Sequence, residues 1–148
     1  MKLEVVFTAE QVEALTNAFE AKAPAAEKTE NFWDEIEFFK PIEFRCKCSG
    51  KYCNGDTAEA KESLVRALDG LRKTAGKPII ISSGVRCPVH NSNVGGVYNS
   101  WHLTGNAADF TITGMTAAAA MALVKQCGIK CREMYAIDGN YVHITVKE

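Results

Sequence analysis

Between Ser100 and Asp109 the chain reads Ser-Trp-His-Leu-Thr-Gly-Asn-Ala-Ala-Asp, with a histidine and a carboxylate on either side of a glycine. No other stretch restricts the fold as much. Extended, the path from His102 to Asp109 would cover roughly 20 Å, so the chain must double back if both are to serve one site. Gly105 makes that bend easy, because glycine enters left-handed backbone without steric cost. A further donor of the same kind, His143, lies near the C-terminus. Two imidazoles and one carboxylate fill three tetrahedral positions around zinc and leave the fourth for water, the layout of a hydrolytic rather than a structural ion. Taken singly, the three also have ordinary readings: a surface histidine, an acid at a strand edge and a strand histidine.

Side-chain alternation brings two of the donors together. Along Ala108-Asp109-Phe110-Thr111-Ile112, Asp109 and Thr111 share one face and the apolar residues the other. Along Tyr141-Val142-His143-Ile144-Thr145-Val146, His143 falls with Tyr141 and Thr145, opposite Val142, Ile144 and Val146. Adjacent strands lie about 4.8 Å apart, so side chains on such faces can share one ion.

The remaining elements follow from periodicity and punctuation. Val12, Leu15, Ala18 and Phe19 recur at helical spacing between Thr8 and Lys22, with Thr8 as N-cap and Gln11 completing a capping box. Ala60, Leu64, Ala67, Leu68 and Leu71 predict a second helix over Thr57 to Thr74, ended by Ala75-Gly76. Pro78-Ile79-Ile80-Ile81-Ser82-Ser83 predicts a short strand buried on both faces. A third helix is expected from Thr116 to Gln126, closed by Gly128. Asp138-Gly139 between two strand-like runs predicts a two-residue hairpin turn. Phe32-Trp33 and Phe38-Phe39 form an aromatic group that either covers the core, the expected reading, or lines a cleft. The sum is α+β, with helices packed on a small, mostly antiparallel sheet. At 148 residues, 47% of them hydrophobic, the chain suits one domain over 1–148. Residues 1–56 form an N-terminal helix and cysteine-containing extension, and 57–148 the core that carries the donors.

Charge excludes some partners. The net charge is −1 and no basic block or basic helix with interleaved aromatics occurs, so nucleic acid is not an expected partner. No apolar run reaches the roughly 18 to 20 residues of a membrane span, and the acidic start Met1 to Phe7 does not read as a signal peptide. Synthesis in a cytoplasm and a monomeric protein are expected. In that compartment Cys46, Cys48, Cys53, Cys87, Cys127 and Cys131 are expected as reduced thiols. Cys46-Lys47-Cys48-Ser49-Gly50-Lys51-Tyr52-Cys53 resembles half of a zinc knuckle, but lacks paired C-x-x-C spacing and needs a fourth ligand from far away. The alternatives are a turn with partly buried thiols, or a disulfide formed after release from the cell.

Ser100-x-His102-x-x-Gly105-x-Ala107-x-Asp109 followed by Val142-His143 resembles the zinc D-Ala-D-Ala carboxypeptidases, the M15 peptidases of bacterial cell walls and phage endolysins. The likeness runs from Ile79 to Val146 and includes Ser83-Gly84-Val85-Arg86-Cys87-Pro88-Val89-His90-Asn91 and Gly95-Gly96-Val97-Tyr98-Asn99-Ser100. It implies a hedgehog/DD-peptidase-like fold, a Zn2+ cofactor held by His102, Asp109 and His143, and a zinc peptidase core in 57–148. It also implies that Arg86 binds substrate or stabilises the developing oxyanion.

Many members of the family carry an acid three positions before the last histidine, and here that position is Asn140. An amide is no proton acceptor. Asp138 is therefore the expected general base, although it also reads as a turn former. A two-residue turn would set Met134 opposite His143 and Glu133 opposite Ile144, pointing Glu133 off the ligand face.

The expected function is hydrolysis of peptide bonds in peptidoglycan stem peptides, as a D,D- or L,D-carboxypeptidase or endopeptidase. The setting expected is a phage or prophage lysin that reaches the wall after release. The alternatives are a non-catalytic, zinc-containing wall-binding or phage structural domain, and a structural zinc protein built on the cysteines.

Overall fold

The computed structural model describes residues 31–54 and 57–147. The chain divides between Glu35 and Ile36 into two units. In the first, the described residues make a short helical turn, Phe32–Glu35, with the Phe32 and Trp33 rings stacked at 5.0 Å. The helix expected over Thr8 to Lys22 lies outside the described residues.

The second unit opens with a helical turn, Pro41–Phe44, and continues through α1 (Glu62–Ala75), β1 (Ile79–Ser83) and α2 (Pro88–Asn93). A helical turn, Trp101–Thr104, leads into β2 (Ala107–Ile112), followed by α3 (Ala117–Gln126), β3 (Cys131–Ile137) and β4 (Tyr141–Val146). The strands form one sheet in the order β1-β2-β4-β3, antiparallel at every junction. This is the α+β arrangement expected from the sequence.

Helix α1 buries the stripe Leu64, Val65, Leu68 and Leu71 and stops at Gly76, whose φ of 66° releases the chain from the helix. It begins at Glu62, later than the expected Thr57, because the preceding residues dock against the ligand loop. Lys61 is extended there, and its N–H donates to the Gly105 carbonyl at 2.8 Å. Thr116 caps α3 by accepting the Ala119 N–H at 3.1 Å.

Two strand expectations need correction. Strand β1 is an edge strand, and only Ile79 and Ile81 face the core; Ile80 is 55% exposed opposite Thr111. Three consecutive isoleucines had suggested burial on both faces, but the sheet is covered there on one.

The second correction is the β3–β4 hairpin, whose loop holds three residues, Asp138, Gly139 and Asn140, with Ile137 opposite Tyr141. Asp138 and Gly139 take the positive φ values of the turn, 53° and 72°, and the Asn140 N–H closes it on the Ile137 carbonyl at 3.1 Å. Asn140 is thus a loop residue. That shifts the pairing by one, so Tyr135 faces His143 and Glu133 faces Thr145.

One face of the sheet is apolar: Phe110, Ile112, Val142 and Ile144 are buried, and α1 and α3 pack against these strands. Burying each such side chain is worth about 1.5–3 kcal/mol. Phe39 and Phe44 are also buried, ring centroids 5.7 Å apart, as the core reading of the aromatics expects for Phe39. The opposite face carries Asp109 and His143, and the segment from Gly84 to Asn106 folds over it.

Candidate metal centre

The antiparallel ladder places Asp109 of β2 directly opposite His143 of β4. Their side chains meet, with Asp109 Oδ1 2.8 Å from His143 Nδ1. His102 comes from the turn before β2, which Ser100 caps by accepting the His102 N–H at 3.1 Å. The return to the sheet runs through Gly105 at φ 84°, where a Cβ would come within 2.1 Å of the Glu59 carbonyl oxygen. Only glycine satisfies both the backbone angle and the close approach.

His102 has a defined tautomer. Its Nδ1 lies 2.7 Å from the Gly84 carbonyl oxygen, which only accepts, so Nδ1 carries the proton and Nε2 a lone pair. That Nε2 is buried, has no hydrogen-bond partner among the described residues, and sits 3.3 Å from Asp109 Oδ1. Two lone pairs held face to face repel unless a cation lies between them. The donor atoms of His102, Asp109 and His143 all lie within 4.8 Å of one another, and all three residues are buried. Two imidazoles and a carboxylate suit zinc, so the residues present fit the ion that the sequence implies.

Burial pushes the Asp109 carboxyl up, but the close contact with His143 outweighs it and holds the group well below the usual carboxylate range. Arg86 approaches the other oxygen, Nη2 to Oδ2 at 3.3 Å. Its burial lowers the guanidinium, and the Asp109 charge opposes that shift. Arg86 Nε donates to Ser83 Oγ and Nη1 to Asn91 Oδ1, each at 3.0 Å, so the fork is fixed on three sides.

The second nitrogen of His143 is engaged from β3 and β4. Its Nε2 lies 3.0 Å from Glu133 Oε1 and 3.2 Å from Thr145 Oγ1, and the Thr145 hydroxyl donates to the same Glu133 oxygen at 3.2 Å. The Tyr135 ring stacks on the imidazole, centroids 4.5 Å apart. Burial and the nearby charges of Asp109 and Glu133 raise the Tyr135 phenol above its ordinary value. A carboxylate on the far nitrogen fixes the ring and makes it a better donor. Glu133 had been expected to point off this face; the three-residue loop turns it onto it.

These side chains floor an open cleft of about 530 Å³, lined by Arg86, Trp101 and Glu133 along with the three donors. Asp138 does not line it and lies in the hairpin turn. The structure therefore gathers His102, Asp109, His143 and Arg86 at one place and leaves Asp138 out. Sequence reasoning missed Asn91, Tyr135 and Thr145. Thr145 shares the parity of His143 and was open to view, whereas Tyr135 depends on the hairpin register.

Buried donors of this kind beneath an open cleft define a hydrolytic metal centre. The chain belongs to the M15 peptidase family, whose members are zinc-dependent: the family described as Peptidase M15 matches residues 37–145. A zinc D-Ala-D-Ala carboxypeptidase of Streptomyces albus G is similar to it, 40% identical over a stretch that takes in 38% of this chain. That stretch is 27% of the relative, so the chain matches about a quarter of that protein's length. The family match begins at residue 37 and so includes the cysteine loop, which the likeness read from the sequence left out.

Proposed function

We propose that this chain is a zinc peptidase that hydrolyses peptide bonds in peptidoglycan stem peptides, next to a D-amino acid. The observation that carries this reading is the unpartnered Nε2 of His102 facing Asp109 at the floor of a cleft with a guanidinium beside it. In this reading His102, Asp109 and His143 hold the ion. Zinc supplies a Lewis acid for the scissile carbonyl and an activated water. Arg86, held rigid by Ser83, Asn91 and Asp109, presents fixed positive charge to the carboxylate or developing oxyanion of the substrate.

Glu133 takes the role first given to Asp138. It is the carboxylate lining the cleft beyond the donor set, and Oε1 is occupied by His143 and Thr145. Its Oε2 would accept the proton that the attacking water loses and return it to the leaving amine. A phage or prophage lysin, made in a cytoplasm and acting on the wall after release as a monomer, is the setting we propose for it.

Zinc-loaded protein incubated with purified walls should release D-amino acids or shortened stem peptides detectable by mass spectrometry. His102→Ala should lose that activity together with one bound zinc. Zinc bound to the wild type without any release would favour the wall-binding domain instead.

A further inference from the structure

A second cluster of soft donors lies outside the cleft. Cys46, Cys48, Cys53 and Cys87 place their four Sγ atoms within 4.8 Å of one another, with Cys48 and Cys53 3.6 Å apart. A tetrahedral zinc with bonds of about 2.3 Å separates its sulfurs by about 3.8 Å. Cys46, Cys48 and Cys87 are buried and Cys53 half-buried, and no disulfide joins them. The fourth ligand that the loop lacks in sequence thus comes from Cys87, immediately after Arg86.

We propose that Cys46, Cys48, Cys53 and Cys87 form a second zinc site, a closed tetrathiolate cage separate from the cleft. Beyond the spacing, the loop is shaped for it. Ser49 and Gly50 take left-handed backbone, φ 60° and 80°, and the Lys51 N–H bonds the Cys48 carbonyl at 3.1 Å, reversing the chain between Cys48 and Cys53. Backbone N–H groups are aimed at sulfur: Cys87 N–H at Cys46 Sγ, 3.3 Å, and His90 N–H at Cys87 Sγ, 3.4 Å. Such donors stabilise thiolates that a metal has deprotonated.

Charge points the same way. Four thiolates around a divalent ion leave two negative charges, and residues 45–53 contain Arg45, Lys47 and Lys51 with no acid among them. Four tetrahedral thiolates suit zinc and leave it no open position, which makes the site structural. Its effect on the cleft is positional. The cage ties the loop at 46–53 to the residue next to Arg86, whose own N–H bonds the His102 carbonyl at 3.0 Å.

The test is metal content of the full chain purified without chelator. Two zinc ions per chain are expected in the wild type, one in His102→Ala, and one in Cys53→Ser and Cys46→Ser. Replacing zinc by cobalt should give the intense thiolate charge-transfer bands of a tetrathiolate site in the wild type and in His102→Ala. The wild-type count and spectrum need no variant to fold. One zinc per chain with six titratable thiols, disulfides within the cluster by mass spectrometry, or bound iron in place of zinc would each overturn the proposal. Because His102→Ala keeps the cage, its one zinc and its cobalt thiolate bands are expected whether or not the peptidase reading of the cleft holds.

Discussion

Glu133 Oε1 lies 3.0 Å from His143 Nε2, a contact that exists because the β3–β4 loop is one residue longer than Asp138-Gly139 alone. The contact brings Glu133 to the cleft and leaves Asp138 in the turn, which is why we propose Glu133 for proton transfer. Glu133→Gln should lower kcat by about 10²–10⁴ while KM changes little and the zinc in the cleft is retained. Asp138→Asn should behave as wild type. Steady-state release of a terminal D-amino acid measures both, and an inactive Asp138→Asn beside an active Glu133→Gln would reverse the assignment.

Arg86 is held by Ser83, Asn91 and Asp109 at once, a geometry that suits a planar fork and not an ammonium. Arg86→Lys should therefore keep both metals and lose about 10²-fold in kcat/KM. Unaltered turnover on stem peptides would remove Arg86 from the chemistry.

Gly105 combines a φ of 84° with a Cβ position 2.1 Å from the Glu59 carbonyl. Backbone strain of this kind costs about 1–3 kcal/mol, before the displacement of Glu59 is counted. Gly105→Ala should lower the urea midpoint and weaken zinc binding in the cleft, since the same turn carries His102. Equal stability of variant and wild type in urea would show that the loop relaxes freely.

Burial raises the Cys131 thiol above its ordinary value of about 8.5. A thiol whose folded value is raised favours the folded state fully below the unfolded value, and that contribution fades as pH rises through the folded one. Alkylation of Cys131 at neutral pH should thus lag behind that of the same thiol in the unfolded chain, and the gap should close in alkali. Peptide mapping after timed alkylation gives the rates, and a Cys131 that reacts at the unfolded rate near neutrality would contradict the shift.

Alternation alone was enough to foresee that Asp109 and His143 share a face, because Val142, Ile144, Phe110 and Ile112 mark the opposite one unambiguously. The α3 cap and the Gly76 stop were equally legible, since each depends on one residue and its neighbours. What could not be read depended on partners distant in sequence. Asn140 can extend a strand or lengthen a turn, and only packing of the ladder decides. Ile80 looked buried because a sheet edge leaves no mark on its own strand. Likewise Cys87 joins the cysteine loop through tertiary folding, and no local spacing announces it.

Two of the cleft's donors sit on paired strands, while His102 arrives on the segment folded over them. An ion bridging the two parts couples its own affinity to the closed state of that segment. Every tenfold gain in zinc affinity that depends on His102 adds about 1.4 kcal/mol to the free energy of opening it, when zinc is in excess. A bound ion would therefore also tie that segment to the sheet, and amide exchange between Gly84 and Asn106 should slow with zinc concentration while the strands beneath exchange at their own pace.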